Sequence, residues 1–118
     1  EIHPEGLHHF LTMIHRDFAP DLPIYVTENG MARADAPGPD GHVADPDRTA
    51  YLDAHLGQVK RAVDDGVPVK GYFVWSLIDN YEWSLGYGPR FGLVHVDYAS
   101  LKRTPKASWH ALAAALAA

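Results

Sequence analysis

The sequence contains no cysteine among its 118 residues. That absence excludes disulfide scaffolds, thiolate metal sites and cysteine nucleophiles, and it fits a reducing compartment, with the cytoplasm as the expectation. No run approaches the roughly 18 to 20 consecutive apolar residues that a membrane span needs, so no membrane partner is expected. Basic residues are in deficit, 10 Lys and Arg against 15 Asp and Glu for a formal charge of −5. They are also scattered, so they build no patch for a phosphate backbone, and nucleic acid is not expected as a partner. An initiating methionine is missing: the chain opens on Glu1 with no charged-then-apolar leader. The natural start, with any targeting signal, is expected upstream.

What is present suits one small folded domain, with 47% hydrophobic residues and no sign of overall disorder. Pro4 suits a first helical position, and Leu7, Phe10, Leu11, Ile14 and Phe18 form one apolar stripe, so residues 4 to 18 read as a helix. Pro20 and Pro23 interrupt the chain, and Ile24 to Thr27 follow as a β-branched strand of the kind covered on both faces, with Glu28 at its end. Residues 31 to 45 are rich in Ala, Gly, Pro and Asp and have no period, which marks a long loop of functional or mobile character. Asp45 is placed to cap a second helix opened by Pro46, with the stripe Leu52, Leu56, Val59 and Val63 and a stop at Gly66 and Pro68. A second strand is read over Val69 to Leu77, and a short extended piece at "LVHVDY". A last helix is introduced by Thr104-Pro105 and ends in "ALAAALAA".

Helix, strand, helix, strand, helix, with long connections after the strands and short ones before them, is the arithmetic of βαβ units and parallel strands. In such folds chemistry gathers at the carboxyl ends of the strands. Glu28 and the aromatic cluster after Trp75 both lie there and are expected to face one cavity. Two repeats cannot close a barrel of eight, so the chain reads as part of something larger.

Glu28 shares the parity of Ile24 and Val26, so if those face an interior the carboxylate is expected to face it too, at its mouth, where it is costly unless paired or used. A helix cap or a salt bridge in the next turn accounts for it equally well. Gly30 would let the chain turn away and leave that side chain open. Trp75, Tyr81, Glu82, Trp83, Tyr87 and Phe91 place five aromatics and one carboxylate within seventeen residues. Singly, each ring is more simply a cover for the core. Together they suit a carbohydrate, whose C–H faces stack on rings while indole N–H and carboxylate groups satisfy hydroxyls. Among the eight histidines none pairs at spacing four beside an acid, and Ser76 and Ser108 lack a nucleophile elbow. No metal, cofactor or serine chemistry is expected.

Four motifs, "VTENG" at 26–30, "GYFVWSLIDNYEW" at 71–83, "RFGLVHVDY" at 90–98 and "RTPKASW" at 103–109, resemble the C-terminal part of a family 1 glycoside hydrolase, the β-glucosidase family. The resemblance runs nearly end to end and implies an α/β fold, the C-terminal part of a (β/α)8 TIM barrel contributing strands seven and eight with their helices. Residues 1–118 would then be one partial barrel domain with no second domain. The implied activity is retaining hydrolysis of β-glucosides and related β-glycosides. Glu28 matches the nucleophile that forms a covalent glycosyl-enzyme. Trp75 matches the platform under the glycone, followed by a cis peptide to Ser76. Glu82 and Trp83 match the pair that grips the sugar hydroxyls, and Phe91 an aromatic at the far end of the pocket. The family's acid/base glutamate lies in an Asn-Glu-Pro motif absent here, where the only glutamates are Glu1, Glu5, Glu28 and Glu82. Without the resemblance, Glu82 could serve as acid to Glu28 at the roughly 5 Å of a retaining site. The implied partners are a β-glycoside substrate and either the N-terminal remainder of the barrel or further copies of the chain. The alternative is a non-catalytic fragment that binds sugar or completes a barrel in trans, and the isolated chain is expected to be inactive.

Overall fold

The computed structural model describes residues 1–117. They divide into two compact units: Glu1–Asn29 with Asp53–Phe73, and Gly30–Leu52 with the chain from Val74 onward. The elements run α1 (Glu5–Asp17), β1 (Ile24–Asn29), α2 (Pro46–Asp64), β2 (Val69–Val74), a 3-10 turn (Trp83–Leu85), β3 (Val94–Val96), β4 (Arg103–Pro105) and α3 (Ala107–Ala117).

The first unit is built on Leu11, Val59, Ala62 and Val67, against which Leu7, Ile24, Val26, Val69 and Tyr72 pack. Pro4 enters α1 with φ −58°, and the Phe18 and Ala19 amides close it onto the Ile14 carbonyl. Only part of the expected α1 stripe is covered. Leu11 is buried, but Phe10 and Phe18 lie in solvent, Phe18 at 75% exposure. On α2 the buried line is Leu52, His55, Val59 and Ala62 rather than one that ends at Val63, which is 46% exposed. Ala62 and Val63 point about 100° apart on a helix, and the smaller Ala62 takes the crowded side.

The amide of Ile24, first residue of β1, donates to the carbonyl of Pro68, just ahead of β2. The two starts therefore lie side by side and the paired strands run the same way, as crossover through a helix requires. The strands are covered on one face and not on both. Ile24 and Val26 reach the core, while Tyr25, Thr27 and Phe73 are exposed. β1 runs on through Glu28 to Asn29, whose Oδ1 accepts the Tyr72 hydroxyl at 2.7 Å. β2 stops at Val74, short of Leu77. Past it the chain bends at Trp75 and Leu77 and changes partners: the Ser76 amide bonds the Phe91 carbonyl, and the Val94 amide the Leu77 carbonyl.

In the second unit β3 and β4 form an antiparallel pair, His95 opposite Thr104. The Asp97 carboxylate closes the connection by accepting the Ala99 and Ser100 amides. Thr104-Pro105 thus belongs to a strand, and the last helix begins at Ala107. Residues 31–45 form a loop, as their composition demands, but a tethered one. Arg33 pairs with Arg90, Val43 pairs with Lys106, and Val43 is buried.

Candidate functional site

Glu28 stands next to last in β1, exposed, and its carboxylate makes no hydrogen bond or ion pair among the described residues. Ile24 and Val26, four and two residues earlier in the strand, pack against the core, and Glu28 is exposed. Neither the cap nor the salt bridge that would have explained it structurally is formed. An acidic side chain left without a partner at a strand end is free to meet something that is not part of the chain.

The other expected residues lie on one segment of the second unit, Trp75 to Phe91. Trp75 is partly exposed and its peptide bond to Ser76 is cis. Gly30 explains itself here. A Cβ at position 30 would fall 1.8 Å from the Trp75 carbonyl oxygen, so glycine is required by the close approach of two backbones, and no left-handed turn is involved. Beyond Trp75, Ser76 Oγ donates to the Ile78 carbonyl and accepts from Asn80 Nδ2, which stiffens the entry to the loop.

Glu82 is half-buried, its amide bonded to the Gly86 carbonyl at 2.7 Å, and its carboxylate has no partner among the described residues. Trp83 opens the 3-10 turn at φ 41° and is 80% exposed. A bulky residue in that backbone region costs on the order of 1–3 kcal/mol, and exposing an indole recovers none of it. The strained backbone is therefore not repaid by packing of the ring within the described residues. Tyr81 and Tyr87 behave differently. Their rings meet edge to face at 5.2 Å, and Tyr87 leans on Tyr98 at 4.5 Å. Part of the aromatic cluster therefore braces the loop itself.

Under this segment lies a set of buried charges that composition and spacing did not reveal. Arg48 is 1% exposed and Lys106 fully buried. Arg48 Nη1 donates to Asp35 and Asp45, both at 2.6 Å, and its Nη2 to the Arg90 carbonyl. Lys106 Nζ donates to Asp35 at 2.7 Å and Asp79 at 2.9 Å, and Arg90 Nη1 to Asp79 at 2.7 Å. Three carboxylates thus face three cations, which is how buried charge is tolerated. Burial pushes the Asp79 carboxyl up, but Lys106, Arg90 and the Gly92 amide together hold it below the usual range. Burial, then Arg90, pushes the nearby His95 below its ordinary value. Asp45 is not simply the cap of its own helix. Its oxygens accept the Ser108 amide and hydroxyl, at 2.8 and 2.5 Å, in the first turn of α3. Nothing in the spacing of these residues marked the network in the sequence.

The profile of Glycosyl hydrolase family 1 matches residues 1–116. The chain belongs to glycosyl hydrolase family 1. This family 1 chain is 50% identical over 108 residues to β-glucosidase A of Thermotoga maritima, covering 92% of the chain and 24% of that relative. It is 47% identical over 112 residues to a bifunctional β-D-glucosidase/β-D-fucosidase of Bifidobacterium breve. Among solved structures, the psychrophilic β-glucosidase of Micrococcus antarcticus superposes with a TM-score of 0.96 at 48% identity, covering 99% of this chain and 25% of that one. The T. maritima family 1 β-glucosidase solved with isofagomine lactam superposes with a TM-score of 0.91. The chain spans about a quarter of the length of these relatives.

Proposed function

We propose that the protein carrying this chain is a retaining β-glycosidase acting on β-glucosides and related sugars, with Glu28 as nucleophile. The observation that carries the reading is the Glu28 carboxylate, exposed and unpartnered at the end of β1 within Thr27-Glu28-Asn29-Gly30. In this reading a Glu28 oxygen attacks the anomeric carbon as the bond to the aglycone oxygen breaks. Water later attacks the same carbon and releases the sugar with its configuration retained. The proton for the leaving oxygen comes from an acid/base glutamate elsewhere in the complete protein, since these 118 residues hold no Asn-Glu-Pro motif.

Trp75 is the stacking platform, Glu82 accepts from the O4 and O6 hydroxyls, the Trp83 indole N–H donates toward O3, and Phe91 lines the far end. The unpaired Glu82 carboxylate and the exposed Trp83 ring support those roles. A carboxylate at 82 repels phosphate, so the substrate is an unphosphorylated sugar. The chain is read as one partial domain supplying strands seven and eight of the barrel, its partner being the N-terminal remainder. Exposed Tyr25 and Phe73 and the quarter-length coverage support this, and the isolated chain is inactive in this reading.

In the complete protein, Glu28→Gln is expected to lower turnover of an aryl β-glucoside by about a thousandfold or more while sugar binding persists. Retained full activity would refute the assignment.

A further inference from the structure

We propose that Asp79 is a positioning residue for sugar binding: its carboxylate closes the loop that carries Glu82 and Trp83 and sets where those two side chains stand. The inference rests on the sugar-site reading above. Asp79 itself is buried, at 2% exposure. Its Oδ2 accepts Arg90 Nη1 at 2.7 Å and the Val96 amide at 3.3 Å, and its Oδ1 accepts the Gly92 amide and Lys106 Nζ, both at 2.9 Å.

The consequence is geometric. Backbone bonds from Ser76 to Phe91 and from Val94 to Leu77 bring the two ends of the loop 80–89 together, and the Asp79–Arg90 ion pair locks them side chain to side chain. Both ends are then anchored to the interior. Arg90 also donates to the Val96 carbonyl, and its own carbonyl receives Arg48. Lys106 ties Asp79 to Asp35. A Cβ at Gly92 would fall 2.2 Å from the Asp79 amide nitrogen, so this junction has no slack. Inside the closed loop, Glu82 and Trp83 have no such anchors of their own. Glu82 is fixed only by its backbone bonds to Leu85 and Gly86, and Trp83 is exposed. Their aim is therefore inherited from the clamp beneath them.

The test is a double-mutant cycle in the complete protein, read as affinity for the glycone-shaped inhibitor deoxynojirimycin. Glu82→Gln alone should weaken binding by about tenfold or more, as expected for a lost charged hydrogen bond. Asp79→Asn alone should weaken it by a similar factor. In the Asp79→Asn background, Glu82→Gln should cost less than about threefold, because a carboxylate already misaimed has little left to lose. If the two losses multiply, or if Asp79→Asn binds like the parent, Asp79 serves only the fold and the inference is overturned. If Glu82→Gln has no effect in the parent, the sugar-site reading falls and takes this inference with it. Should Asp79→Asn show no melting transition, Arg90→Gln carries the same cycle, since a neutral amide removes the ion pair between the two ends of the loop. The same outcomes then decide.

Discussion

Replacing Gly30 by alanine places a methyl group where the structure has a carbonyl. The new Cβ would fall 1.8 Å from the Trp75 oxygen and 2.8 Å from the Trp75 carbonyl carbon. Ordinary carbon-to-oxygen contact begins near 3.3 Å, so the two chain segments must part by about 1.5 Å. Both obstacles are backbone, and no rotamer relieves them. Overpacking in ordinary cores costs about 1–3 kcal/mol, and a clash that only backbone movement can resolve belongs at the upper end, about 3 kcal/mol. Gly57 supplies the control. It lies inside α2 with nothing within 4 Å of its would-be Cβ, so Gly57→Ala should stabilise by roughly 0.5–1 kcal/mol through helix propensity. Urea unfolding followed by tryptophan fluorescence compares the two. If Gly30→Ala unfolds within about 0.5 kcal/mol of the parent while Gly57→Ala behaves as expected, the close-approach argument is wrong.

Other perturbations probe the charges and the loop. Asp45→Ala strips Arg48 and the Ser108 amide of a shared acceptor and should cost about 3–5 kcal/mol in urea unfolding; a loss below about 1 kcal/mol would mean the network relaxes without it. His95 is held below its ordinary 6.5, by burial first and Arg90 second, so the unfolded chain takes up its proton more readily than the folded one. The stability it contributes is complete above pH 6.5 and is lost as pH falls from there toward the folded value. His95→Phe should flatten the decline in urea midpoint between about pH 7.5 and 5.5, and an unchanged slope would refute the assignment. Trp83 is 80% exposed at φ 41°, so Trp83→Ala should shift stability by no more than about 0.5 kcal/mol. Trp83→Gly should be no less stable than the alanine form, since glycine accepts that φ without strain. A glycine variant clearly weaker than alanine would show that the backbone there is relaxed.

Sequence reasoning reached the order of the main elements, the shared direction of β1 and β2, the cis Trp75–Ser76 bond through the family resemblance, and the family itself. Each rests on local chemistry or on a motif: apolar period for α1 and α2, β-branched runs for the strands, "TENG" and "DNYEW" for the family. It misjudged how far β1 and β2 extend and missed β4, because a three-residue strand is defined only by its partner. The exposure of Glu28 beside half-buried Val26 was not legible for a similar reason: alternation describes a strand, but what covers each position is decided by other elements.

The sequence by itself determined which residues could do chemistry, since a carboxylate at a strand end and an aromatic loop are legible as types and spacings. Only the tertiary structure decided what holds them. Asp35, Asp45, Arg48, Asp79, Arg90 and Lys106 come from four separate stretches of chain and look like ordinary surface charges in the one-dimensional record. They become a connected network only when folding removes the water around them, because a charge so placed must find its donors and acceptors among the other charges and nearby backbone groups.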